Sequence, residues 1–313
     1  MQASPPDITV SIVSYNTRDL LRTCLLALRA VATGAKLQVI VADNESSDGS
    51  IAMVEAEFPE VEAFATGGNL GYGKANNLAF ERAHGRYFFA LNSDTEVQPG
   101  ALRALLEFMD SHPEAGGACA QLIYPDGRLQ TTVGRDPDIA GISLEQLYLD
   151  KLWGRLRPAA AAEPLEEVEP REVEQIAGAC QFMRSDAYRQ VGGFDPVYFM
   201  YNEDVDLNIQ VRKAGWKLYL VPEARIVHHL GASSRAWRTR ARMVAALNRS
   251  RHYYFSRHGG AGQGAFLKLL FCFGALIRLV GWSFIALARP TSLEKVKLFR
   301  HVLREAFALP NRP

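Results

Sequence analysis

The chain has 313 residues, 48% of them hydrophobic and 22% charged, which are the proportions of an ordinary globular protein. Its 35 Lys+Arg against 34 Asp+Glu leave a formal net charge of +1, which excludes an evenly basic nucleic-acid binder and an acidic disordered chain. That total is divided along the chain: residues 1–223 carry 32 acidic and 19 basic side chains, residues 224–293 carry 11 Lys+Arg and no Asp or Glu, and residues 294–313 have a net charge of +3.

Cys24, Cys119, Cys180 and Cys272 are widely spaced, with no CxxC and no Cys/His cluster. Buried thiols in a reducing compartment are therefore expected, rather than a disulfide framework or a zinc site. The opening MQASPPDITVSIVSYN has no basic stretch and no long apolar run, so no secretory signal is expected and cytoplasmic residence follows.

In chain order, residues 8–14 (ITVSIVS) are rich in β-branched side chains and predict a strand. Residues 17–31 have helical spacing, with Thr17 a candidate N-cap. The apolar run 37–42 (LQVIVA) predicts a strand buried on both faces. DNESSDGS at 43–50 is turn-rich, 50–57 predicts a helix and 61–65 a short strand. A Gly-rich loop then leads into a helix at 74–83, a buried strand at 86–91 and a helix at 99–111 opened by Pro99. Strand alternates with helix, the signature of a parallel sheet covered by helices.

Beyond this the pattern loosens. Residues 116–135 predict short strands around the turn 124–127, and 137–175 predict an exposed, mobile loop containing the low-complexity RPAAAAEPLEEVEPREVE. Strand character returns at 176–184, followed by helices at 185–191 and 204–214 and short strands at 217–221 and 225–228.

In such a sheet, ligands bind at the carboxyl ends of the strands. Ser14-Tyr15-Asn16, Asp43-Asn44 and Asn92-Ser93-Asp94 fall at three such ends, and Asn69-Leu70-Gly71-Tyr72-Gly73-Lys74-Ala75-Asn76-Asn77 precedes a helix. Any one of these could serve only as a turn. The NLGYG loop could cradle a phosphate with backbone N–H groups, or could simply meet the positive φ of a tight loop. Neither GxGxxG nor GxxxxGK[ST] is present, so the dinucleotide and P-loop readings lose support.

Asn202-Glu203-Asp204-Val205-Asp206 follows the aromatic stretch Tyr198-Phe199-Met200-Tyr201. Carboxylates favour a helix start, but an apolar wall also raises a carboxylate's pKa and makes it a better base. His228-His229 follows a strand-like segment, and a histidine converging with Asp94 could ligate a divalent cation.

Taken together, VSIVSYN (10–16), VIVADNESSDGS (39–50), NLGYGKANNLA (69–79), FALNSDTEV (89–97), GACQFMRSDAYRQVGGFDPVYFMYNEDVDL (178–207) and VHHLGASS (227–234) resemble a family 2 glycosyltransferase of the rhamnosyltransferase-like bacterial branch. The resemblance implies an α/β, GT-A-type, Rossmann-like and mostly parallel sheet with flanking helices at 1–234, and a helical extension at 235–313. It implies that Asp43 bonds a nucleotide base, with Tyr15, Asn16 and Asn44 beside it. Gly71, Gly73, Asn76 and Ser93 would flank the donor. Asp94 would hold Mg²⁺ or Mn²⁺ against a diphosphate. Asn92 stands where the family's first metal-binding carboxylate would be, which makes His228 the candidate second ligand. Asp204, with Glu203 beside it, matches the catalytic base, and 192–195 (GGFD) the acceptor-side turn.

The implied chemistry is inverting transfer from a nucleoside-diphosphate sugar. A divalent cation neutralises the leaving group, and a separate carboxylate takes the acceptor's proton. The rival readings are a sugar-nucleotide-binding or assembly protein without turnover, which the incomplete metal motif favours, and a nucleotidyltransferase, which would want a basic phosphate loop that is not evident.

Residues 235–258 hold seven Arg and two His, and 265–288 hold 24 residues of which only Lys268 and Arg278 are charged. About 20 apolar residues suffice to span a bilayer, and one central Arg costs roughly 3 kcal/mol there. Ten residues place Lys268 and Arg278 about 80° apart around the helix, leaving a wide apolar surface. Peripheral attachment to the inner face of the plasma membrane is favoured over a span or a soluble helix. The expected partners are the nucleotide-sugar, a lipid-linked glycan acceptor and the cytoplasmic membrane surface, with no nucleic acid.

Overall fold

The computed structural model describes residues 5–31, 34–147, 168–229 and 237–310. Along the chain these form β1 (Ile8–Ser14), α1 (Arg18–Val31), β2 (Leu37–Asp43), α2 (Ser50–Glu57), β3 (Glu62–Ala65), α3 (Tyr72–Phe80), β4 (Tyr87–Asn92), β5 (Thr95–Val97), α4 (Ala101–Ser111), β6 (Ala115–Ile123) and β7 (Val133–Gly134). There follow α5 (Ile139–Gln146), β8 (Arg171–Val173), β9 (Gln175–Ile176), β10 (Cys180–Arg184), α6 (Ser185–Val191), α7 (Glu203–Lys213), β11 (Lys217–His228), α8 (Trp237–Gly259), α9 (Ala261–Ala288) and α10 (Leu293–Phe307). The chain divides into two compact units. The first lies within Met1–Asp136, Glu163–Phe199 and Glu203–Leu230, and the second within Pro137–Ala162, Met200–Asn202 and Gly231–Pro313.

In the first unit a nine-stranded sheet runs β3-β2-β1-β4-β10-β6-β11-β5, with β8 also on β11. Strands β3, β2, β1 and β4 are parallel, and the chain reverses its order at β1, whose neighbours are β2 and β4. Ile8, Val10 and Ile12 are fully buried in this core, as are Phe88, Phe89 and Phe182. Burying each such side chain stabilises the fold by roughly 1.5–3 kcal/mol.

The sheet is mixed beyond β4. Strand β10 lies antiparallel between β4 and β6, and β11 pairs parallel with β6 but antiparallel with β5. CQFMR at 180–184 is buried, and a run hidden on both faces carries no mark of its direction. The expected short strands at 116–135 are instead one nine-residue strand, β6, with the small β7. The two expected strands at 217–221 and 225–228 are one, β11, with an irregularity between Val221 and Arg225.

Two local readings change. Thr17 does not cap α1 with its side chain: its hydroxyl meets those of Ser14 and Ser93 at 3.2 and 3.0 Å, and the Arg18 N–H donates to Asp48 Oδ2 at 2.8 Å. The expected loop 137–175 contains α5, capped by Asp138, whose Oδ1 accepts from the Gly141 N–H at 2.7 Å, and β8. Part of the low-complexity stretch, 157–167, lies outside the described residues, as do 230–234.

In the second unit α9 buries Gly264, Leu267, Phe271, Gly274 and Ala275 along one face. Both of its cations have partners within this unit. Lys268 Nζ donates to the Leu309 carbonyl beyond α10, and Arg278 reaches Gln146 Oε1 at 3.3 Å and the Glu145 carbonyl at 3.2 Å. Phe266, Leu269, Phe273, Leu276, Ile277, Val280 and Phe284 remain exposed. By length and composition alone, α9 is able to cross a membrane.

Candidate functional site

Register decides what meets at the carboxyl edge of the sheet. Ser14 pairs with Asp43, and Val13 with Asn92, so β1, β2 and β4 end together. Tyr15-Asn16, Asn44 and Ser93-Asp94 are the first residues past those ends. Tyr15 is exposed. Asn16 adopts φ 55°, accepts the Ser47 N–H on Oδ1 at 2.8 Å and donates its own N–H to Ser46 Oγ at 2.8 Å, hooking the 43–49 loop to the end of β1. Asp43 is buried. Its Oδ1 accepts the Ser46 N–H at 2.7 Å, while its Oδ2 has no partner. A cavity of about 320 Å³ beside this edge is lined by Asn16, Thr17, Arg18, Asp19, Leu20 and Asp48.

The other donor-side residues shape this edge from behind. Asn44 donates to the Gly71 carbonyl at 3.1 Å and accepts from Thr66 Oγ1 at 3.0 Å and the Leu70 N–H at 3.3 Å. Asn76 accepts from Ser11 Oγ at 2.7 Å and donates to the Tyr72 carbonyl, tying α3 to β1. Gly71 has φ 85°, and a Cβ there would stand 2.0 Å from the Phe199 carbonyl oxygen; one at Gly73 would meet Phe194 at 2.9 Å. Three of the backbone donors of NLGYG are engaged within the fold. The N–H groups of Leu70, Gly71 and Tyr72 go to Asn44, Asn69 and the Phe199 carbonyl.

Strand pairing also joins two residues 134 positions apart. His228 on β11 pairs with Thr95 on β5, which follows Asp94. His228 Nε2 stands 3.4 Å from Asp94 Oδ1, and the carboxylate of Asp94 keeps 23% of its surface exposed. His228 is buried, and its Nδ1 lies 3.0 Å from Gln130 Oε1. The Gln130 amide nitrogen faces only carbonyl acceptors, so its oxygen faces the ring and Nδ1 carries an N–H toward it. In the neutral ring Nε2 turns a lone pair toward the carboxylate, and these two acceptors can share a cation. One imidazole and one carboxylate fit Mg²⁺ or Mn²⁺, which complete their shells with water and substrate phosphate. Among the described residues no three His, Cys, Asp or Glu side chains gather into a fuller metal site.

The second centre begins α7. Tyr201 and Asn202, with φ 67° and 63°, turn the chain into the helix. Asp204 is partly exposed. Its Oδ2 accepts the Gly178 N–H at 3.1 Å and its Oδ1 the Val205 N–H at 2.9 Å. Glu203 is buried, and its Oε2 has no partner. Desolvation first, and the neighbouring Asp204 charge second, push the Glu203 carboxyl up to about 8. Desolvation raises Asp204 as well, opposed by its backbone donors. The supported oxygens of Asp204 carry the charge of the pair, and Glu203 keeps the proton.

Tyr72, Asn77 and Gly178 are functional supports that motif reading passed over as parts of longer strings. The Tyr72 hydroxyl donates to the Gly178 carbonyl at 2.9 Å, and its ring meets Phe194 edge-on at 5.7 Å. A Cβ on Gly178 would stand 2.7 Å from Asp204 Oδ2, so only glycine lets the carboxylate close on that N–H. Asn77 donates to the Phe194 carbonyl at 2.7 Å and accepts from the Phe194 N–H at 3.0 Å and the Tyr188 hydroxyl at 2.7 Å, fixing the 192–195 turn. The Asn92 N–H donates to the Ala179 carbonyl at 3.0 Å. The segment that holds Asp204 is thus tied to the end of the strand that leads to Asp94.

The glycosyl transferase family 2 profile matches residues 9–190. The chain is 33% identical, over 81% of its length and 85% of the relative's, to the N-acetylglucosaminyl-diphospho-decaprenol L-rhamnosyltransferase of Mycobacterium tuberculosis. It is 24% identical, over 75% and 88%, to the rhamnosyltransferase WbbL of Escherichia coli. Among solved structures, it resembles the mannosyltransferase PcManGT from Pyrobaculum calidifontis in complex with GDP-Man and Mn²⁺, at a TM-score of 0.54 and 14% identity over 98% of this chain and 89% of that one. It also resembles S. aureus TarS at 0.51 and 12% identity, covering 80% of this chain but spanning only 43% of TarS. At such identities these structures speak for the fold, which is GT-A. With the profile covering more than half of its residues, the chain belongs to glycosyl transferase family 2 and is a glycosyltransferase.

Proposed function

We propose that the protein is an inverting, metal-dependent transferase that moves a sugar, rhamnose being the leading choice, from a nucleoside diphosphate to a lipid-linked or polysaccharide acceptor in cell-envelope glycan synthesis. The observation that carries this reading is the pairing of two distinct centres in one unit: Asp94 with His228, and the raised Glu203–Asp204 pair. The names of the mycobacterial and E. coli relatives support the sugar and the lipid-linked acceptor.

Each centre has one task. Asp43 Oδ2 lacks a donor and would accept an N–H from the nucleotide base. Asp94 and His228 would hold Mg²⁺ or Mn²⁺, which when bound neutralises charge on the departing diphosphate as a Lewis acid. Asp204, ionised and oriented by the Gly178 and Val205 N–H groups, takes the proton of the attacking hydroxyl. Glu203, protonated beside it, adds no second charge and leaves the base on Asp204. Attack on the face opposite the leaving group inverts the anomeric carbon.

The membrane reading belongs to the second unit. The two cations of α9 are engaged with their own unit, and the exposed positions 266, 269, 273, 276, 277, 280 and 284 recur at helical spacing as an apolar face. We assign this face to the inner leaflet of the plasma membrane, where nearby Lys and Arg each gain about 1 kcal/mol from anionic lipid. A panel of nucleotide-sugars with Mn²⁺ or Mg²⁺, with and without membrane lipid extract, tests the reading. One sugar should release nucleoside diphosphate faster when lipid is present, and indifference to both lipid and metal would reject it.

A further inference from the structure

We infer that Gln130 is a positioning residue for the cation site: it locks His228 in the Nδ1–H tautomer and so aims the Nε2 lone pair at Asp94. The inference rests on the proposed metal site and adds the element that prepares its histidine.

Gln130 is 2% exposed and is held from every side. Its backbone N–H donates to the Leu122 carbonyl at 2.9 Å, and its own carbonyl accepts Gln121 Nε2 at 2.9 Å. Its side-chain Nε2 donates to the His228 carbonyl at 2.7 Å and to the Ile123 carbonyl at 3.3 Å, while its Oε1 meets His228 Nδ1 at 3.0 Å. One amide therefore grips both the backbone and the ring of the same residue. Turning the amide over would set an oxygen against two carbonyl oxygens, losing two bonds whichever tautomer the ring adopted. A neutral imidazole carries one proton, so the clamp fixes it on Nδ1 and leaves Nε2 bare, 3.4 Å from Asp94 Oδ1. Partners on the far nitrogen of a ligating histidine set its tautomer and ring angle, and losing them typically weakens metal affinity 10–100-fold.

A purely structural Gln130 would only tie the turn after β6 to the end of β11. Thr132 separates the two roles. Its hydroxyl accepts from the Leu122 N–H and from Gln121 Nε2, each at 2.9 Å, in the same turn, without touching His228. The experiment uses full-length protein with Mn²⁺ alone as the probe and free Mn²⁺ read by electron paramagnetic resonance. It adds long-range ¹⁵N–¹H spectra of the metal-free histidines at about pH 8.5, above the imidazole reference value.

Wild type should show His228 with a protonated Nδ1 and a bare Nε2. Gln130→Met should give a tautomer mixture and weaken Mn²⁺ binding about 10-fold or more, whereas Thr132→Val should keep both wild-type signatures. An Nε2–H tautomer in wild type, or wild-type tautomer and Mn²⁺ affinity in folded Gln130→Met, overturns the inference. If wild type and Asp94→Ala bind Mn²⁺ equally, the metal reading fails instead, and the tautomer spectrum alone decides the role of Gln130.

Discussion

Replacing Glu203 by Gln should remove a specific pH dependence from the stability of the fold. The carboxyl of Glu203 is raised from 4.5 to about 8, first by burial and then by the Asp204 charge. Between those values the unfolded chain is ionised at this position and the folded chain is protonated, so folding takes up a proton. The stabilisation is complete below the unfolded value and is lost as pH rises through the folded one. Each pH unit in that window is worth about 1.4 kcal/mol, so the loss from pH 5 to pH 8 is roughly 4 kcal/mol at most, water entering around the new charge lowering it. Urea unfolding of wild type and Glu203→Gln at several pH values from 5 to 8 reads this as a difference of slopes. The variant should gain on wild type steadily as pH rises, because Asp204 is common to both proteins. Parallel curves would refute the burial of a protonated Glu203 and with it the division of charge within the pair.

Asp94→Ala should weaken Mn²⁺-dependent donor binding and leave metal-independent binding nearly unchanged, measured by calorimetry with the donor in chelator and in Mn²⁺; equal losses in both would place Asp94 away from the metal. Asn77→Ala strips partners from the Phe194 N–H and carbonyl and from the Tyr188 hydroxyl, and should cost about 3 kcal/mol in urea unfolding, a loss under about 1 kcal/mol contradicting its role in the 192–195 turn. Leu269→Glu with Phe284→Glu should abolish flotation with anionic vesicles while leaving unfolding unchanged, since both side chains are exposed; retained flotation would move the membrane contact off α9.

Much of the first half of the fold was legible because its strands are short buried runs separated by amphipathic helices. ITVSIVS, LQVIVA and RYFFAL each became a strand of the parallel half within a residue or two of the expected bounds. The strand at β10 was expected, but its antiparallel direction escaped because an apolar run buried on both faces is the same in either direction. Helix α10 was expected only as an undivided part of the helical extension at 235–313, and α5 was hidden in an apparent loop, since its eight residues show no clear apolar face. At the site, Asp94 and His228 were already paired as candidate ligands from the sequence, and the β11–β5 register is what brings them together. Gln130 left no local mark, because what gives it meaning is a ring 98 residues away. Within the glycine loop, the N–H groups of Leu70, Gly71 and Tyr72 are bound inside the fold, which no sequence pattern shows.

The catalytic assignment is tested most directly by Asp204→Asn. With donor, Mn²⁺ and lipid acceptor present, the variant should release no nucleoside diphosphate above the uncatalysed background while still binding the donor within a few-fold of wild type. Turnover at the wild-type rate would contradict the account, because the one carboxylate that Gly178 and Val205 hold in place would not be the base.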